Sequence, residues 1–133
     1  MDTKDQIRIA VEAEAILAVI SLFESGDVEL ISSEPLLFEV ARNPNQTRRE
    51  YVLEVLRKTR EFVEVNEEIE KRAREFSTFG IKAFDALHLA SAEQVKADYF
   101  CTCDDKFLKK AKSIKDLETT AVSPIELIDE IEK

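Results

Sequence analysis

GIKAFDALHLASA, from Gly80 to Ala92, and YFCTCDDKF, from Tyr99 to Phe107, are the stretches from which the fold of this chain can be read. Gly80 stands in the usual stop position of a helix, and a new helix opens at Phe84 or Asp85 and runs to about Ala97. Ala86, Ala90, Ser91 and Ala92 leave little side chain to hold that helix away from its neighbours, so its acidic end is expected close to the core. Asp98 to Cys103 is the most convincing β-type run, and Asp104 behind it caps a further helix to about Lys112. Asp85 and Asp104 therefore both fall at helix starts, where carboxylates can gather around a metal. Aspartate is also a favoured N-cap, worth about 1 kcal/mol, and either residue could do only that.

Outward from this unit the pattern repeats. Toward the N-terminus, Val11, Ala15, Leu17, Ala18, Leu22 and Phe23 recur near helical spacing and predict a first helix over Ile7 to Glu24, stopped by Gly26. Val28 to Ser32 reads as a strand. Ser33-Glu34-Pro35 reads as a cap with proline in the first turn, and Leu36, Leu37, Val40 and Ala41 as a buried stripe. Asn43 to Thr47 is a turn, Arg48 to Arg60 a helix and Glu61 to Val65 a strand, and Asn66 caps a charged helix to about Phe79. Thr119 to Val122 is a last strand, and Ser123-Pro124 opens an amphipathic terminal helix. Strands separated by helices predict a parallel α/β layer, with functional groups beyond the carboxyl ends of the strands. With no repeat, low-complexity tract or linker, residues 1–133 read as a single domain.

Composition narrows the function classes. The longest apolar run, Ala15 to Ile20, is far short of the roughly 20 residues that span a bilayer, so no membrane association is expected and the chain reads as soluble and cytoplasmic. Asn45-Gln46-Thr47 matches a glycosylation acceptor by letter but reads as a polar turn. Cys101 and Cys103, two apart in a β-like run, are expected on one face as small buried hydrophobes. The single histidine, His88, makes a His-based metal site or a His-dependent triad hard to assemble and reads as a surface or packed residue.

The net charge of −9 would argue against nucleic acid if it were evenly spread. It is not. Between residues 42 and 60, Arg42, Arg48, Arg49, Arg57, Lys58 and Arg60 face only Glu50 and Glu54, a local +4 in an acidic chain. Residues 104 to 115 carry five lysines against two aspartates. Such islands are compatible with a phosphate-bearing partner, although each alone reads first as a solvated helix face.

Glu39 lies one turn after Leu36 and beside Val40, at the edge of an apolar stripe where a carboxylate costs desolvation unless a cation compensates or the side chain reaches solvent. Carboxylates brought to one edge of a parallel sheet repel one another unless a divalent ion or protonation relieves them. Oxygen-only ligation suits Mg²⁺ or Mn²⁺, which can activate water and stabilise charge on an attacked phosphate.

At these residues the chain resembles the PIN-domain ribonucleases, which include the VapC-type toxins of toxin–antitoxin pairs. The resemblance spans Val28 to about Leu127. It is most specific in GIKAFDALHLASA and the T-x-D of Thr102 to Asp104, and weaker around Glu39. It implies a PIN-like, Rossmann-like three-layer α/β/α fold with a small parallel sheet. It also implies a metal-dependent endoribonuclease using four acidic residues. By motif position Glu39, Asp85 and Asp104 look like three of them, as catalytic residues and Mg²⁺ or Mn²⁺ ligands, with Thr102 supporting and Asp105 the adjacent spare acid. Arg42, Arg48 and Arg49 are the expected nucleic-acid contacts.

The departure is at the front. The family opens with a hydrophobic strand ending in an aspartate followed by threonine, and this sequence reads as lacking that N-terminal central strand. Asp2-Thr3 echoes only the dipeptide. Unpaired backbone groups would then remain on both neighbouring strands, each costing on the order of 1 to 3 kcal/mol if buried. The neighbours could pair directly, a partner could lend a strand, or the chain could be a shortened form of a longer product.

Three functions compete. The leading one is a PIN-type ribonuclease with RNA as substrate, which the resemblance extends to the toxin of a toxin–antitoxin pair. A non-catalytic PIN-like module binding RNA or protein is the alternative, favoured by the missing strand. A response-regulator-like domain would need a phosphoacceptor aspartate and a lysine at strand ends, and neither is placed. Exposed sheet edges and the apolar terminal helix suggest a homo-oligomer or an antitoxin partner.

Overall fold

The computed structural model describes residues 6–132. Its elements are β1 (Ile7–Val11), α1 (Ile16–Glu24), β2 (Val28–Ser33), α2 (Glu34–Ala41), α3 (Gln46–Leu56), β3 (Glu61–Val63), α4 (Glu67–Ser77), α5 (Ala83–Gln94), β4 (Tyr99–Cys101), α6 (Asp105–Lys112), β5 (Thr120–Val122) and α7 (Pro124–Ile131). The five strands form one wholly parallel sheet in the order β3-β2-β1-β4-β5.

The first strand is therefore present and central, and the expected helix over Ile7 to Glu24 is a strand followed by a shorter helix. No gap has to be filled, because β1 pairs with β2 from Ile7 to Ala10 and with β4 from Ile9 to Val11. Two properties hid it. The first is burial on both faces, which gives a central parallel strand an almost continuous apolar sequence that blends into the Ala15-Ile16 run behind it. The second is Arg8, a charge that looks foreign to a central strand. Its guanidinium is held by both oxygens of Glu61 at 2.7 and 2.8 Å and by the carbonyls of Val95 and Lys96 at 2.8 Å. Asp2-Thr3 lies outside the described residues.

Strand alternation sorts the core into two layers. Ala10, Ile31, Phe100 and Ala121 point to one face and pack with buried residues of α4, α5 and α6. Ile9, Val11, Val28, Leu30, Cys101 and Val122 point to the other and pack with α1, α2, α3 and α7. The small residues of α5 behave as expected: Ala86, Ala90, Ser91 and Ala92 are all buried. The cysteines do not share a face. β4 stops at Cys101, which is buried, and the chain turns, so the alternation no longer applies at Cys103, which is exposed.

The caps follow local chemistry. Ser33, Asn45, Asn66, Asp104 and Ser123 each accept a backbone N–H of the helix they precede, and Ser123 does so in a reciprocal box with Glu126. Gly26 ends α1 at φ +88°, where its N–H reaches the Phe23 carbonyl and that of Asp27 the Leu22 carbonyl. Lys96 takes the same left-handed role after α5 at φ 57°, without glycine's freedom.

Candidate functional site

The carboxyl edge of the sheet collects acidic side chains from four places. Glu12 follows directly on β1, Glu39 comes from the last turn and a half of α2, Asp85 from the first turn of α5, and Asp104 from the cap of α6 behind β4. Glu12 was missed by sequence reasoning together with its strand. The signal was present in Ile7, Ile9 and Val11, a β-branched alternation ending in a carboxylate.

Glu12 is only 8% exposed. Its Oε1 accepts the Cys103 N–H at 3.1 Å and its own N–H donates to the Cys101 carbonyl at 3.3 Å, tying the ends of β1 and β4 together. Burial pushes its carboxyl above the usual range. The Cys103 amide and the Thr102 hydroxyl oppose that shift, and the charge of Glu39 adds to it. Thr102, fully buried, also accepts the Asp104 N–H on Oγ1 at 3.0 Å.

Glu39 is held from two sides. His88 Nε2 lies 2.9 Å from its Oε1, and the Ala13 N–H reaches the same oxygen at 3.3 Å. Burial works to raise its carboxyl, but the hydrogen bond and charge of His88 together with the Ala13 amide bring it below the usual value. His88 is the packed residue that the sequence allowed, 2% exposed between the rings of Phe84 and Phe100.

Asp85 and Asp104 resolve the capping question differently. Asp104 does cap α6, accepting the Lys106 and Phe107 N–H groups on Oδ1 at 3.0 and 3.1 Å, which leaves Oδ2 free of those bonds. Asp85 caps nothing, since Lys82 is the N-cap of α5 and makes no side-chain cap bond. Its half-buried carboxyl is raised by burial and by the charges of Asp104 and Glu39, against the pull of His88 and Lys82. Asp105 sits exposed in the first turn of α6.

Beside Glu39 runs a groove of about 530 Å³, lined by Ala13, Glu39, Val52, Arg42, Arg48 and Arg49 among others. All three expected basic residues thus share a groove with Glu39. Arg49 spends one nitrogen on the Asn43 carbonyl at 2.8 Å, and Arg42 lies over the Phe38 ring, 5.0 Å from its centroid.

The PIN-domain family model matches this sequence over residues 6–113. The chain belongs to the PIN-domain family. Among solved structures, this PIN domain is similar to PAE2754 from Pyrobaculum aerophilum, at 15% identity and a TM-score of 0.64, with 96% of this chain and 98% of that one covered. It is also similar to VapBC2 from Rickettsia felis bound to a DNA fragment from their promoter, at 13% identity and a TM-score of 0.60, with 88% and 98% covered. At these identities the likeness is one of fold. No curated protein matches the sequence. Among the described residues no helix is long and apolar enough to cross a membrane.

The donor chemistry of the site fits a hard divalent cation. It is made of carboxylate oxygens, and two of the carboxyls are raised by burial with neighbouring negative charge contributing, which a cation would relieve. Among the described residues no three Asp, Glu, His or Cys side chains already stand together closely enough to hold an ion.

Proposed function

We propose that this PIN domain is a divalent-metal-dependent endoribonuclease, of the kind that serves as the toxin of a toxin–antitoxin pair. The observation that carries the reading is the convergence of Glu12, Glu39, Asp85 and Asp104 at one sheet edge beside an arginine-lined groove. Glu12 stands where the family's strand-end aspartate is expected, one methylene longer. It supplies the fourth acid that the sequence seemed to lack.

In this reading Asp85, Asp104 and Glu12 hold Mg²⁺ or Mn²⁺. Glu39 is kept ionised and oriented by His88 and the Ala13 amide. When bound, the ion neutralises charge on the attacked phosphate and makes water a better nucleophile. Arg42, Arg48 and Arg49 hold the RNA backbone through its phosphates. An antitoxin protein covering the edge, and self-association, belong to the same proposal. The similarity in fold to VapBC2 supports the former.

The test is hydrolysis of single-stranded RNA with Mg²⁺ or Mn²⁺. Cleavage should vanish in chelator and fall by on the order of 100-fold in Asp85→Asn. Cleavage untouched by that substitution would sink the proposal. The alternative, a non-catalytic module binding RNA or protein, drew its support from an absent first strand. With β1 in place it rests on the spacing of the donors alone, and its mark would be metal-independent RNA binding without hydrolysis.

A further inference from the structure

The lysine-rich stretch from residue 104 to 115 takes no part in the site described so far, yet α6 grows directly from Asp104. Phe107 and Ala111 bury one face of that helix and sort its lysines around the rest. Lys112 turns to α7, where its Nζ donates to Glu126 at 2.6 Å. Lys110 turns to the connection between α4 and α5 and donates to the Gly80 carbonyl at 2.9 Å. Lys106 stands four residues before Lys110, one turn nearer Asp104 on the same flank, while Asp105 shares a different flank with Lys109. Two residues beyond Gly80, Lys82 stands at the head of α5, and its charge reaches Asp85.

Lys82 and Lys106 are both exposed, and neither side chain makes a hydrogen bond or a salt bridge to the described residues. Their charge is left for something outside the protein. The arginines beside Glu39 lie on the other side of the sheet. α2 and α3, which bring Arg42, Arg48 and Arg49, pack on the face that carries Ile9 and Leu30, whereas α5 and α6 pack on the face that carries Ala10 and Phe100. The carboxyl edge lies between these two layers. Glu39 lines the arginine groove, and Asp85 adjoins Lys82.

We propose that Lys82 and Lys106 hold the RNA backbone on one side of the phosphate to be cut, while Arg42, Arg48 and Arg49 hold it on the other. The inference rests on the nuclease reading and adds how the strand lies: across the acidic edge from one layer to the other, and not along the arginine groove alone. A phosphate brought to a row of carboxylates is repelled by them, and cations on one side only would leave the other side of the strand free to swing away. The strand must then extend past the cut in both directions, which favours cutting within a chain over trimming at its end. An acidic protein segment would meet the same repulsion from the carboxylates with no phosphate for the site to act on.

Two measurements share the paired variants Lys82→Ala Lys106→Ala and Arg42→Ala Arg48→Ala. Both lysines are exposed and hold nothing in the protein, so their loss does not threaten the fold. In the first, a labelled single-stranded RNA is bound by the Asp85→Asn protein in Mg²⁺ at several salt concentrations. Each lost phosphate contact should lower the slope of log affinity against log salt by about 0.7, so that the lysine pair lowers it by about 1.4 and weakens binding about tenfold. In the second, Mg²⁺-dependent cleavage of an oligonucleotide at a mapped cut is compared with versions whose linkages on one side of the cut are neutral methylphosphonates. The lysine pair should cost about tenfold in kcat/KM on the charged substrate and nothing once one particular side is neutral. The arginine pair should lose its cost only when the opposite side is neutral. Unchanged affinity and slope in the lysine pair overturns the proposal and leaves those lysines to an acidic partner. Both pairs losing their cost on the same side overturns it as well. If cleavage still depends on Asp85 in either case, the nuclease reading stands alone. A lower slope in the lysine pair, with no cleavage by the parent protein in any divalent ion, supports the lysine contact and defeats the nuclease.

Discussion

Arg8 and Glu12 mark the two ends of the same central strand, and the fold treats their charges in opposite ways. At the amino end, Arg8 is matched by a bidentate carboxylate and two carbonyls, and its own N–H donates to Asp98 at 2.7 Å. At the carboxyl end, buried Glu12 feels the charge of Glu39, and Asp85 feels those of Glu39 and Asp104, with His88 and Lys82 pulling the other way. One end closes its electrostatics within the protein, while the other leaves a surplus of negative charge for something outside it. Parallel sheets make such a division natural, since binding groups collect beyond the carboxyl ends of strands.

The largest effect that would break this comparison is at Glu12. Glu12→Gln should lower RNA cleavage by on the order of 100-fold, measured at saturating Mn²⁺. The same change should leave metal-free stability unchanged or slightly higher, because it removes a buried like charge. The pH dependence has the same sign. Glu12 and Asp85 titrate above their usual values in the fold, so their contribution is fully present at pH below the unfolded value, 4.5 for Glu12, and is lost as pH rises through the folded value. Thermal melts in chelator should show that decline in the parent protein and less of it in Glu12→Gln. A steep loss of stability in the variant would mean that Glu12 is structural.

Next in size is Arg8→Met, which strips partners from Glu61 and two carbonyls. Urea unfolding should show a loss of about 2 kcal/mol, with cleavage per folded molecule unchanged. The smallest effect is at Lys96, whose carbonyl accepts from Arg8 and whose backbone is left-handed. Lys96→Gly should stabilise by about 1 kcal/mol or less and raise Tm by roughly 2 to 5 °C.

What the sequence disclosed follows the range of the interactions involved. The caps at Ser33, Asn45, Asn66, Asp104 and Ser123 could be read because a cap bonds to its own helix two or three residues on. The small-residue face of α5 could be read because burial follows from side-chain size. β1 could not, because the partners that make Arg8 tolerable lie 53, 87 and 88 residues away. Glu12 was lost with it. The link between Glu39 and His88, 49 residues apart, also has no local signature, which is why His88 looked like a bystander.

The order of the strands has a consequence for synthesis. β1 is made first yet sits in the middle of the sheet, and the amide of Cys103 that anchors Glu12 is 91 residues further on. At about 5 to 20 residues per second, roughly 5 to 20 s pass between translation of the two. Through that interval β1 can pair with β2 alone, leaving its other edge as an open row of backbone donors and acceptors that invites wrong partners. A ribosome stalled before β4 would hold a chain that is at once sticky and unable to complete its acidic edge.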